Sequence, residues 1–125
     1  MVREGFPATT VEEYLDAVPE TQGAALRAVR DHFLAVVPGA EQVISYQVPT
    51  IKYRGAGLVA LSVAKAHCSV HLMSPPLARA LAGTLTEGRL SGATLQFDAA
   101  TPLSEETVRL VATRRMAEVD ARLDG

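Results

Sequence analysis

Residues 49–73 read Pro49-Thr50-Ile51-Lys52-Tyr53-Arg54-Gly55-Ala56-Gly57-Leu58-Val59-Ala60-Leu61-Ser62-Val63-Ala64-Lys65-Ala66-His67-Cys68-Ser69-Val70-His71-Leu72-Met73. Their period is two. Ile51 and Tyr53 fall on one side of an extended chain while Thr50, Lys52 and Arg54 fall on the other, as in a half-buried strand. Gly55-Ala56-Gly57 tolerates positive φ and predicts a hairpin into Leu58 to Ala64. A second reversal near Lys65-Ala66 leads into Cys68 to Met73, giving a three-stranded antiparallel meander. Pro49 precedes its first strand, where a lost amide costs little. In the third strand Cys68, Val70 and Leu72 form the core face, and His67, Ser69, His71 and Met73 the other. The histidine face then lies beside Ala60, Ser62 and Ala64 of the neighbouring strand, or beside the opposite parity, according to register.

Working outward, the period changes to that of helices. Thr10 and Glu13 have the spacing of a capping box and predict a helix from about Val11 to Val18. Pro19 suits the first turn of a second helix, whose stripe is Leu26, Val29, Phe33, Val36 and Val37 and which Pro38-Gly39 ends. Val43 to Tyr46 reads as an earlier strand or an irregular approach to one. Ser74-Pro75-Pro76 caps a short helix carrying Leu77, Leu81 and Leu85. Thr94-Leu95-Gln96-Phe97 alternates as a further strand. Pro102-Leu103-Ser104-Glu105-Glu106 opens a long C-terminal helix with the stripe Val108, Val111, Ala112, Met116, Val119 and Leu123. The order α-α-β-β-β-α-β-α predicts an α+β fold, with helices packed on an antiparallel sheet in a single domain spanning residues 1–125.

Composition narrows the function classes. The 125 residues are 48% apolar and 21% charged, outside the range of disordered chains. The longest run free of charged residues, Ala66 to Ala78, is too short for a membrane span and contains two prolines. Cys68 is the single cysteine, and Met1 to Pro7 lack the apolar run of a secretory leader, so a reducing cytoplasm is expected. The absence of Trp and a pI near 5.9 argue against a nucleic-acid surface. The net charge of −2 conceals an asymmetry. Glu12, Glu13, Asp16 and Glu20 make the N-terminal end acidic. Gln42 to Thr86 contains no acid at all, and Lys52, Arg54, Lys65 and Arg79 make it basic.

Two places could carry function. Glu12, Glu13 and Asp16, three and four residues apart on one helix, cluster oxygen ligands suited to a hard cation. The second is the basic, acid-free sheet face, where Lys52, Arg54, His67 and His71 could recognise a small anionic or polar ligand. His67 and His71 cannot share a metal along one strand, because their Cα atoms would stand about 13 Å apart. Cys68 faces inward as an inert thiol. Ser62 or Ser69 with His71 could supply two members of a catalytic triad. The central block offers no acid and the chain has no nucleophile-elbow motif. Gly55 and Gly57 lack the third glycine of a phosphate loop. A binding protein is therefore expected rather than an enzyme.

Several stretches resemble the YdhG-like domain family. They are Tyr14-Leu15, the Pro-Glu-Thr-Gln run from Pro19, the segment from Pro38 to Pro49, Ile51-Lys52-Tyr53 with Gly55, Leu58-Val59-Ala60, Ala64 to His67, Gly92 to Phe97, and Pro102-Leu103. The resemblance implies a small α+β domain with a curved antiparallel sheet, in a family largely without assigned function. One branch, described as a frataxin-like iron chaperone, would make the acidic residues candidates for iron. The chain departs from the family pattern at Gln47-Val48, at Ser91-Gly92-Ala93, where the family's lysine is missing, and at Asp98. Three readings stay open: weak handling of iron or another divalent cation, binding of a small ligand on the sheet face, and a homodimeric scaffold.

Overall fold

The computed structural model describes residues 8–125, so the leader-free reading of Met1 to Pro7 lies outside the described residues. Helix α1 (Val11–Ala17) begins as its capping box predicts: the Glu13 amide donates to Thr10 Oγ1 at 3.1 Å and the Thr10 amide to the Glu13 carboxylate at 3.2 Å. Pro19 stands one position earlier than expected, as the N-cap of α2 (Glu20–Val36). Leu26, Val29 and Phe33 on α2 are fully buried, and Val37 just beyond it is nearly so.

The expected meander is β2 (Val48–Tyr53), β3 (Ala56–Val63) and β4 (Cys68–His71), and one strand is added at each edge of the sheet. They are β1 (Glu41–Ser45), which takes the strand reading of Val43 to Tyr46, and β5 (Arg89–Ser91), which was not expected. With β6 (Thr94–Phe97) they make one six-stranded antiparallel sheet of order β1-β2-β3-β4-β6-β5. Pro49 lies inside β2 rather than before it, opposite Ile44 of β1. Pairing of β2 with β3 starts only at Thr50, so the proline occupies a stretch with a ladder partner on one side alone.

Of the hairpin turns, β1–β2, β2–β3 and β5–β6 use positive φ, the last at Gly92 (φ 61°). Arg54 and Gly55 (φ 53° and 80°) close β2 to β3, one position earlier than the glycine triplet suggested. Tyr46 and Gln47 (φ 52° and 68°) close β1 to β2 without any Asn or Gly, which is why this turn was not legible in the sequence. Between Ile51 and Lys52 the register slips, leaving Leu58 as the extra residue of a β-bulge.

One face of the sheet presents Ile51, Val59, Leu61, Cys68, Val70, Leu95 and Phe97 to α2 and α4 (Glu105–Asp124), and together they form a continuous core. Cys68, Val70 and Leu72 have no exposed surface, as the alternation predicted. Arg115 is buried on α4, donating to the carbonyls of Leu58 and Gly57 at 2.9 Å each and to Glu118 at 2.8 Å. Leu123, expected in the core stripe, is 48% exposed, because the last turn of α4 engages the sheet through Asp120 and Asp124 instead. Helix α3 (Pro75–Leu81) is capped by Ser74 and buries Leu77 and Leu81. Among the described residues no helix is long and apolar enough to cross a membrane.

Candidate functional site

The second face of the sheet is assembled from the small and polar residues that alternate with the core set. Register settles the parity left open in the sequence: Ala60 pairs with His71 and Ser62 with Ser69. Strand β6 then brings Thr94 opposite His71 and Gln96 opposite Ser69. Ser62 is a diagonal neighbour of His71, close enough for an imidazole to reach. Three strands thus place a line of hydrogen-bonding groups across the face. Ser62 Oγ lies 2.7 Å from His71 Nε2, and Thr94 Oγ1 lies 3.2 Å from His71 Nδ1. Burial holds the imidazole below its usual value of 6.5, so it is neutral at pH 7. A hydroxyl at each end can donate or accept, so the ring completes both bonds in either tautomer.

Over the Ser62 and His71 part of this line lies a cavity of about 940 Å³. Its floor is Thr50, Ala60, Ser62 and His71, with Met73 at one end. The β1–β2 hairpin tip forms one wall, and Tyr14, Pro19 and Gln22 close the edge where α1 meets α2. Lys65, on the β3–β4 loop, is the one fully charged residue among the described residues that line it. Gln22 braces that loop by donating to the carbonyls of Ala64 and His67 at 2.9 and 3.0 Å. Four non-glycine residues of the described chain have positive φ, and three of them, Tyr46, Gln47 and Met73, line this cavity. Backbone in that region is strained for a residue with a Cβ, and such strain gathers at functional sites.

The candidate residues from the sequence are dispersed. Of Lys52, Arg54, His67 and His71, the cavity takes in His71 alone. The tight turn directs Arg54 to α4, where it pairs with Asp120 at 2.8 Å and Asp124 at 2.9 Å, and Tyr53 donates to Asp120 at 2.9 Å. Lys52 sits past the bulge opposite Glu41 and Gly57. His67 lies in the β3–β4 loop, its carbonyl held by Gln22 and by the Ala64 amide.

The acidic set is likewise occupied. Glu12 is held between Arg30, at 2.7 Å, and Arg27, and Asp16 also meets Arg27. These arginine hydrogen bonds keep the Glu12 carboxyl below the ordinary range, Arg30 contributing most. Glu13 is lowered by amide and hydroxyl bonds from Thr9, and its carboxylate belongs to the helix cap. Among the described residues no group of three or more His, Cys, Asp or Glu is placed to hold a metal ion. Glu12 and Asp16 face arginines and Glu13 faces the helix cap, instead of converging on an open centre. Cys68 is buried, and desolvation, with Asp98 adding to it, pushes its thiol up to about 11, so it stays protonated.

Sequence reasoning left open whether Ser62 shares the face of His71, and it missed Thr94, Thr50 and the hairpin tip. Nothing local announces that β6 joins β4 across an intervening helix.

No family model and no curated protein matches the chain. Among solved structures, the crystal structure of YdhG, a DUF1801-family protein from Bacillus subtilis, superposes with a TM-score of 0.76. It covers 90% of this chain and 91% of that one at 14% sequence identity. At that identity the likeness speaks for architecture: the chain has a YdhG-like α+β fold.

Proposed function

We propose that the chain is a small-molecule-binding module whose site is the cavity over Ser62, His71 and Thr50. The observation that carries this reading is the cavity itself, whose volume of about 940 Å³ lies within the range of ligand pockets. Its lining suits a compact ligand with an apolar body and one hydrogen-bonding group. Met73, Val48 and Ala60 supply apolar contact, while Thr50 and the Ser62–His71 pair supply the polar end. The imidazole is neutral and Lys65 is the one full charge among the described lining residues, which suits a neutral or singly anionic ligand.

Amide-resolved NMR with a library of small neutral and monoanionic heteroaromatic fragments tests this. Hits should shift Thr50, Ala60, Ser62 and His71 together. Ser62→Ala should weaken them by roughly two- to tenfold, the worth of one neutral hydrogen bond. Shifts confined to residues outside the cavity, or hits indifferent to both Ser62→Ala and His71→Gln, would overturn the reading.

A further inference from the structure

We propose that Ser62 is a nucleophile toward activated acyl groups, with His71 as its base and Thr94 as the residue that positions the base. The inference rests on the reading that this cavity admits small molecules. Its geometric basis is the line Ser62 Oγ, His71 Nε2, His71 Nδ1, Thr94 Oγ1, with separations of 2.7 and 3.2 Å at its two ends. A nucleophile within hydrogen-bond reach of a base, and that base oriented by a third group, is the arrangement that activates a serine hydroxyl. When Nδ1–H donates to Thr94, Nε2 is free to accept from Ser62. Ser62 and His71 both line the cavity, so the pair borders whatever enters. Because burial keeps the imidazole neutral, it is ready to accept a proton at neutral pH.

The orienting group is a hydroxyl, where most serine hydrolases use a carboxylate. A hydroxyl gives the imidazolium less stabilisation, which limits the substrate class to acyl donors with good leaving groups: aryl esters and thioesters. Ser62 Oγ attacks the carbonyl carbon while its proton passes to His71 Nε2. The C–O or C–S bond breaks, and the departing phenolate or thiolate takes that proton from His71. Water then attacks the acyl-serine, giving its proton to Nε2, and the Ser62 oxygen recovers it as the carboxylic acid leaves. Each proton that enters the pair leaves it, and water is the co-reactant.

The test treats the full chain with p-nitrophenyl acetate and follows nitrophenolate release together with peptide mapping of the acetylated protein. The expected result is a burst stoichiometric with protein and an acetyl group on Ser62. His71→Gln should slow acylation roughly a hundredfold or more. Thr94→Val should slow it several-fold and Thr94→Ser restore it, a rescue that a merely structural role would not show. Acetyl found on Lys65 or elsewhere but not on Ser62, or an acylation rate unchanged in His71→Gln, overturns the proposal. The acetylation site is read on the unaltered chain, so the outcome does not depend on a variant folding. Fragment shifts at the cavity without Ser62 acetylation overturn this inference alone, whereas absence of cavity shifts overturns the binding reading.

Discussion

On the helix-covered side of the molecule, charged side chains are matched in pairs: Glu12 and Asp16 with Arg27, Glu12 and Asp31 with Arg30, and Arg115 with Glu118. Around His71, the polar groups on the second face of the sheet are neutral. Two hydroxyls bracket an uncharged imidazole beneath a cavity with one lysine among its lining residues. The Arg27 and Arg30 pairs with Glu12 and Asp16 tie α1 to α2, the Arg54 pairs tie α4 to the β2–β3 turn, and a paired charge offers little to a newcomer. The neutral line keeps hydrogen-bonding capacity facing an open volume. Here the conspicuous charges serve the fold, and the inconspicuous Ser62 hydroxyl lines the cavity.

The first way to break this comparison is to injure each side and see what fails. Phe33→Ala removes a fully buried ring from the helix-covered core and should cost about 3 to 5 kcal/mol in denaturant unfolding, with no selective effect on the cavity. A loss under about 1 kcal/mol would mean that the core is not centred there. Arg115→Ala strips the donors from two strand carbonyls and should cost about 2 to 3 kcal/mol. An unchanged midpoint would contradict the role given to that buried arginine.

Smaller changes sharpen the contrast. Gln47→Gly relieves a positive φ at the hairpin tip and should stabilise the chain by about 1 kcal/mol. If that turn is kept strained to shape the cavity wall, fragment affinity should fall as stability rises. Arg27→Ala opens exposed ion pairs to Glu12 and Asp16 and should cost about 0.5 kcal/mol, less at high salt. A larger cost, or metal binding newly gained by the released carboxylates, would reopen the cation reading of Glu12, Glu13 and Asp16.

Much of the helix-covered side was legible because its signals are local. Capping spacings at Thr10, Ser74 and Ser104 fixed three helix starts, and alternation placed Cys68, Val70 and Leu72 inward. The candidate site was legible only in part. Alternation put His71 on the second face but left the parity of Ser62 to the register, and Thr94 joins them through a strand pairing that no local pattern encodes. The charge asymmetry misled for the same reason. The acid-free segment 42–86 meets its counter-charges in space, where Arg54 finds Asp120 and Asp124 some seventy residues away. The strand β5, three residues long, is too short to show a period.

The lowered proton affinity of His71 also ties the second face to stability. Between its folded value and 6.5 the unfolded chain binds more protons, so unfolding free energy rises with pH across that window. Stability should therefore fall as pH drops from 6.5 toward the folded value, and His71→Gln should remove that slope.

The most direct test of the account is the nitrogen NMR spectrum of the His71 ring followed through a pH titration. The account predicts a neutral imidazole at pH 7 with a midpoint below 6.5, and with its Nε2 accepting from Ser62 in the tautomer that donates from Nδ1 to Thr94. A midpoint at or above 6.5, with the two tautomers averaging as they do for a solvated histidine, would contradict it.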